Sequence, residues 1–297
     1  MGALPPRAVF VTRPTEYESL IARHATRDQA RFFLQQRGQD LAEVEARHER
    51  QEAALSAAHA ALPDEWRHAD VPRADLDRFL FTPEDVIVAV GQDGLVPNVA
   101  KYLDGQKVIG VNPDPDRYDG VLVRFRAQQL ASLYIRAWHG DAEVERRTMA
   151  EGRLDNGDRL VALNELFIGH RTHQSARYLI EDGAAREEQS SSGLIVATGT
   201  GATGWARSIM IATGAAVELA PTQTALGWFV REPFPSVSTG IAMKHGTLGG
   251  KPLTLTSRMN DGGVVFADGM EADFLNFGWG RRLEVGVAKE RLHLVTS

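Results

Sequence analysis

Six consecutive residues, Asp85-Val86-Ile87-Val88-Ala89-Val90, offer apolar side chains to both faces of a strand. That is the pattern of a parallel strand covered above and below. The flanking segments supply the covering layers. A first strand signal lies at residues 8–12. Helical patterning follows at 17–25 and 27–36. The clearest helix spans 41–62, with apolar residues at Leu41, Val44, Ala54, Leu55, Ala58 and Leu62. Its charged part, 43–52, reads as a solvated face, with Glu43 and Arg47 at the supportive i,i+4 spacing. A second strand signal lies near 66–71. Residues 99–103 read as helical and 107–111 as another buried strand. Strand and helix alternate through about residue 112, which predicts a parallel sheet flanked by helices.

From Val121 the texture changes. Short β-like runs at 122–126, 160–163, 178–181, 194–197, 253–256, 263–267 and 282–287 alternate with Gly, Asn and Asp turns. Residues 205–212 are the main helix candidate there. The expected fold class is therefore α/β + β. A Rossmann-like α/β domain with a parallel sheet is expected over 1–115. A β-rich, β-sandwich-like domain is expected over 116–297, its last segment allowed to return to the first domain. The Pro/Asp-rich stretch 112–120 marks the boundary.

Composition excludes several classes. The 297 residues contain no cysteine, which rules out disulfides, thiol catalysis and Cys-based zinc sites and suits a reducing cytoplasm. No apolar run approaches the ~20 residues of a membrane span. Residues 1–18 lack the pattern of a signal peptide. The formal charge is 33 − 39 = −6, so no global attraction to nucleic acid or anionic membranes is expected.

The turn after the central strand, Gly91-Gln92-Asp93-Gly94, has the form of an anion site. Strand, Gly turn and helix start aim backbone N–H groups and a helix dipole at one place. Asp93 there suits a metal or a hydroxyl proton. It equally suits a cap on the following helix. Further on, Gly199-Thr200-Gly201-Ala202-Thr203-Gly204 matches G-x-G-x-x-G, with Glu218 about 20 residues beyond. The Pro-, Gly- and strand-rich sequence that follows does not continue a dinucleotide-binding half of the dehydrogenase type. A Gly/Thr loop binding nucleotide by another geometry is the better reading, with a purely structural turn as the alternative.

These segments in this order resemble the NAD kinase family, in its mitochondrial-type branch. Gly91-Gln92-Asp93-Gly94 resembles the Gly-Gly-Asp-Gly phosphate loop. Residues 108–117, with Asn112-Pro113-Asp114-Pro115, resemble the stretch after it. Leu163-Asn164-Glu165 resembles the Asn-Glu/Asp motif. Ser191-Ser192-Gly193-Leu194 leading to Thr198-Gly199-Thr200-Gly201 resembles the nucleotide-binding loop. His245 and Asp268-Gly269 fit weaker landmarks. The resemblance implies an α/β domain and a β-rich domain, and transfer of the γ-phosphoryl of ATP (or of polyphosphate) to the adenosine ribose 2′-hydroxyl of NAD, giving NADP. It implies Mg²⁺ or another divalent cation, with ligands not identified, and a homodimer or homotetramer. Asp93 would be the base or metal-side carboxylate. Gly91, Gln92, Gly94 and Asn112 would lie at the phosphates. Asn164 and Glu165 would bind NAD at the adenine amine and nearby hydroxyls. Thr200, Gly201, Ala202 and Thr203 would line the second pocket. Trp205 would pack on a base or nicotinamide ring or belong to the core, His245 would line the site or be an ordinary histidine, and Asp268-Gly269 would be a landmark or a hairpin turn. Two departures bear on the phosphoryl donor: Gln92 stands for glycine and Leu95 for threonine. They keep open a nucleotide-binding homologue with lost or altered kinase chemistry.

Overall fold

The computed structural model describes residues 5–297; residues 1–4, part of the segment expected to lack a signal peptide, lie outside the described residues. The chain divides into two compact units, residues 1–145 with 293–297, and residues 146–292.

In the first unit the elements are β1 (Arg7–Thr12), α1 (Glu16–His24), α2 (Arg27–Gln35), α3 (Leu41–Ala60), β2 (Arg67–Pro72), β3 (Asp85–Val90), α4 (Leu95–Ala100), β4 (Lys107–Val111) and α5 (Leu130–His139). The strands form a parallel sheet in the order β2-β1-β3-β4. All six residues of β3 are buried, as its two-sided apolar run predicts. Its one carboxylate, Asp85, meets Arg7 at 2.6 Å and Thr82 N–H at 2.7 Å. Thr15 opens α1 with a capping box through Glu18. Phe10, Val88 and Ile109 join Leu130, Leu133 and Tyr134 in one core, and the Tyr134 hydroxyl donates to Ala58 O at 2.8 Å.

The β-like run expected at 122–126 forms no strand, and two helices differ from expectation. The helix expected at 99–103 starts at Leu95, because Leu95 and Val96 N–H groups find the carbonyls of Gln92 and Asp93. Helix α5 was not expected. Its buried residues Leu130, Leu133, Tyr134 and Ala137 hold it in the first core, so the first unit runs past residue 115, to Glu145.

The second unit contains β5 (Val144–Leu154), β6 (Arg159–Ala162), β7 (Glu165–His170), β8 (Ala176–Asp182), β9 (Ala185–Ser191), β10 (Leu194–Ala197), α6 (Trp205–Thr213), β11 (Leu226–Val230), β12 (His245–Leu248), β13 (Leu253–Ser257), β14 (Gly263–Ala267), β15 (Phe274–Asn276) and most of β16 (Arg282–Val295). One antiparallel sheet runs β12-β11-β10-β7-β14-β15. In the other, β13 lies between β8 and β16, and β8 pairs with β9. Ile168 and Val196 from the first sheet pack with Tyr178, Leu255 and Leu283 from the second in one buried cluster, the core of a sandwich. The chain is thus an α/β unit plus a β-rich unit. The last residues of β16, His293 and Leu294, pair with Lys107 and Val108 of β4 in the first unit.

Candidate functional site

The first group of site residues lies in the α/β unit. Where β3 ends, Gly91 N–H donates to Val111 O at 3.0 Å, so the turn lies beside the end of β4. Backbone carbonyls of Gln92 and Asp93 start α4, and its N-cap, Gly94, has no side-chain cap. The Asp93 carboxylate does not cap this helix. It reaches the segment after β4 instead. Oδ1 accepts from Leu122 N–H at 2.7 Å and Val123 N–H at 3.0 Å, and Oδ2 from Val121 N–H at 3.0 Å. A carboxylate has about four acceptor directions, so one on Oδ2 remains. Gly110 lets this segment lie close, since a Cβ there would stand 2.1 Å from Leu122 O.

Gln92 is tied down by Arg13 Nη2, which donates to its Oε1. The residue in the glycine position therefore brings a guanidinium to the turn. Sequence reading missed Arg13, although its position just beyond β1, at the carboxyl end of a parallel strand, is where ligands gather. Asn112 faces its own loop. Its Nδ2 donates to Tyr118 O at 2.8 Å and its Oδ1 accepts from Asp114 N–H at 3.0 Å.

The second group lies in the β-rich unit, where three loops converge. Asp268 repeats the device of Asp93. Its carboxylate accepts from the N–H groups of Leu163 (3.0 Å), Asn164 (2.7 Å) and Glu165 (3.2 Å). It does so at φ 52°, the left-handed region that Asp tolerates better than most residues. The Asn164 carbonyl accepts from Thr198 N–H at 2.9 Å, and Thr198 Oγ1 donates to Leu163 O at 2.5 Å. The same Oγ1 accepts from Thr200 and Gly201 N–H at 3.0 and 3.2 Å. Thr203 Oγ1 closes the turn on Thr200 O at 2.9 Å, and Ala202 N–H returns to Thr198 O. Gly201 passes so close to Asn164 O that a Cβ would lie 2.1 Å from it. Asn164, Glu165 and residues 198–203 thus form one hydrogen-bonded body.

Within that body the half-buried Asn164 side-chain amide makes no hydrogen bond among the described residues. Glu165 is buried, and burial with the nearby Asp268 charge pushes its carboxyl up to about 7. It therefore exchanges between donor and acceptor near neutrality. Buried Arg147, from β5, donates to Thr200 Oγ1 at 3.4 Å, a cation that no local sequence signal announced.

The remaining two candidates sit differently. Trp205 stacks nearly parallel to Phe167 (centroids 6.0 Å, 8° between planes) and packs against a buried apolar cluster, with the Arg231 guanidinium 5.2 Å from its ring. His245 is exposed on edge strand β12 opposite Phe229. Two strands lie between it and Glu165, roughly 14 Å at the usual strand spacing. The chain's own second unit does not bring it to Asn164 and Glu165.

No family model matches the chain. It is 28% identical over 269 residues to NAD kinase 2, mitochondrial, of Rattus norvegicus, a match covering 73% of this chain and 63% of that protein. The NAD kinase of Gemmatimonas aurantiaca is 28% identical over 230 residues, covering 72% of this chain and 73% of the relative. The chain is thus similar to NAD kinases over nearly three quarters of its length. It spans less than two thirds of the rat protein's length. Two solved structures share the fold. A yeast NADH kinase complexed with NADH superposes with TM-score 0.60 at 15% identity, covering 99% of this chain and 84% of that one. An NAD kinase from Archaeoglobus fulgidus in complex with ATP gives 0.59 at 19%, covering 98% and 93%.

Proposed function

We propose that the chain is an NAD kinase, transferring the γ-phosphoryl group of ATP to the 2′-hydroxyl of the adenosine ribose of NAD to form NADP. The observation that carries this reading is the Asp268-pinned body holding Asn164, Glu165 and the 198–203 turn together. It presents an amide with no partner among the described residues and a carboxyl poised near neutrality, which suits the hydrogen-bonding edges of adenine and ribose. Kinship with NAD kinases supports it. In the reaction the ribose oxygen bonds to the γ-phosphorus, the bond to the ADP oxygen breaks, and the hydroxyl proton leaves to a base. Such transfer depends chiefly on positioning and on charge stabilisation of the phosphoryl oxygens.

The residues of the first unit take the donor side. Gly91, Gln92 and Gly94 form the turn at the phosphates, with Asn112 shaping the loop beside it. Arg13, held by Gln92, supplies positive charge there. Asp93 keeps one acceptor direction on Oδ2, enough for one hydroxyl proton or one place on a hard cation. A magnesium ion brought with ATP takes oxygen ligands, commonly one or two carboxylates plus phosphates and water. Asp93 fits that donor type, and the ion would neutralise charge on the phosphates. Thr200, Gly201, Ala202 and Thr203 line the second pocket, with Trp205 at its wall. His245 enters only if a second copy of the chain supplies it.

The decisive experiment incubates the protein with NAD, Mg²⁺ and ATP, or polyphosphate in place of ATP, and measures NADP. Formation of the 2′-phosphate supports the reading. Folded protein that makes none with either donor overturns it. The same reading includes a homodimer or homotetramer of the 32.6 kDa chain and a cytoplasmic location. Light scattering checks the first. Among the described residues no helix is long and apolar enough to cross a membrane.

A further inference from the structure

At the outer edge of the parallel sheet, away from the phosphate turn, three metal-ligand side chains converge. His68 and Asp70 stand two residues apart on β2 and so project from one face of the edge strand. His59 comes from the last turn of α3. Its Nε2 lies 2.8 Å from Asp70 Oδ1. Its ring stacks on buried Phe10 with centroids 3.9 Å apart, and the His68 ring sits edge-on to it at 5.2 Å. One ligand atom from each of His59, His68 and Asp70 lies within 4.8 Å of the other two.

We propose that His59, His68 and Asp70 form a binding site for a divalent transition cation of the zinc class. Two imidazole nitrogens and one carboxylate oxygen bind zinc at about 2.0–2.2 Å, with water completing a tetrahedron. Ligand atoms around such an ion stand roughly 3.3 Å apart, so the three groups need only small rotations to close on it. The donors also set the selectivity. Imidazole favours zinc, nickel, cobalt and copper, whereas magnesium takes oxygen ligands. This ion is therefore of a different class from the one that accompanies a nucleotide. Phe10 supports the His59 ring from below. The carboxyl-terminal end of α3 adds the negative pole of its dipole to a site of positive charge. Bound here, the cation replaces the hydrogen bond between His59 and Asp70 with coordinate bonds, and ties the long helix to the edge strand.

The test uses the untagged full chain, stripped with a chelator and desalted, with binding followed by calorimetry and stability by thermal unfolding. Zinc chloride alone is expected to bind with one equivalent at this site and to raise Tm, and magnesium chloride to do neither there. The double variant H68A/D70A is expected to lose zinc affinity by about a hundredfold or more, with an unchanged far-ultraviolet circular dichroism spectrum. If that variant fails to fold, H68Q, which changes one exposed ligand, must show weaker zinc binding. Wild-type protein that binds no stoichiometric zinc overturns the proposal. So does zinc binding of equal affinity in the folded variant, which would place the ion elsewhere. Neither readout involves NADP formation, so this site stands or falls apart from the kinase reading.

Discussion

With three backbone amides on its two oxygens, Asp93 has little acceptor capacity left over. Replacing it with Asn removes one charged acceptor and leaves backbone donors without a full partner, a cost of about 1–3 kcal/mol. Asp93→Asn is therefore expected to lower both kcat and Tm, and steady-state kinetics with a thermal melt check the pair. A fall in kcat alone would mean the clamp contributes nothing to folding. Glu165 makes a different prediction. Its folded-state carboxyl keeps a proton up to about pH 7, against an ordinary value of 4.5. The folded chain binds more protons in that window, so unfolding free energy falls as pH rises from about 4.5 to 7 and levels off above. The drop is about 3 kcal/mol, and Glu165→Gln is expected to remove it in denaturant titrations across that range. Asp93, Asn164 and Glu165 were legible because they sit in short local motifs. Their clamps were not. Asp93 bonds residues 28 to 30 positions away, and Asp268 bonds residues 103 to 105 positions away. No local pattern encodes such a partner.

The segment after β4 shows the same limit at the scale of an element. Residues 122–126, expected as a β-like run, form no strand beyond a single parallel bridge between Val111 and Phe125. They are held by Asp93 on one side and lie against β4 on the other, with Phe125 N–H donating to Gly110 O at 3.0 Å and Asn112 N–H to Phe125 O at 2.8 Å. Gly110→Ala would drive a methyl into Leu122 O and cost about 1–3 kcal/mol by overpacking. Because that change and Asp93→Asn both release the same segment, their combined effect is expected to be smaller than the sum, as a double-mutant cycle in urea would measure. The strands of the first unit were readable because a two-sided apolar run has few other solutions. So was the long helix, expected over 41–62 and found over Leu41–Ala60. Helix α5 was missed although Leu130, Leu133, Tyr134 and Ala137 have helical spacing. Tyr134, Ile135 and Trp138 favour strands, and the surrounding β-like texture outweighed the period.

Over the whole molecule, the change from alternating α and β to mainly strands was plain in the sequence. The point where one unit ends was not plain, because α5 adds its apolar face to the first core after the Pro/Asp-rich stretch has passed. Nor was the part played by residues 293–297. Leu294 and Val295 are fully buried. Glu143 O accepts from Thr296 N–H at 2.9 Å, and Glu143 N–H donates to Ser297 O at 3.2 Å. Removing residues 293–297 forfeits the burial of these two apolar side chains, worth about 1.5–3 kcal/mol each. The truncated chain is expected to lose cooperative unfolding of its first unit, visible as protease sensitivity in residues 1–145, while the sandwich core of residues 146–292 stays resistant.

This arrangement also sets an order in time. During synthesis the Gly91–Gly94 turn leaves the ribosome early, yet the last residues of the strand that completes its sheet are made only after every residue of the sandwich. A nascent chain halted after the second unit carries an unpaired edge on β4. The first unit therefore matures last, although it is encoded first.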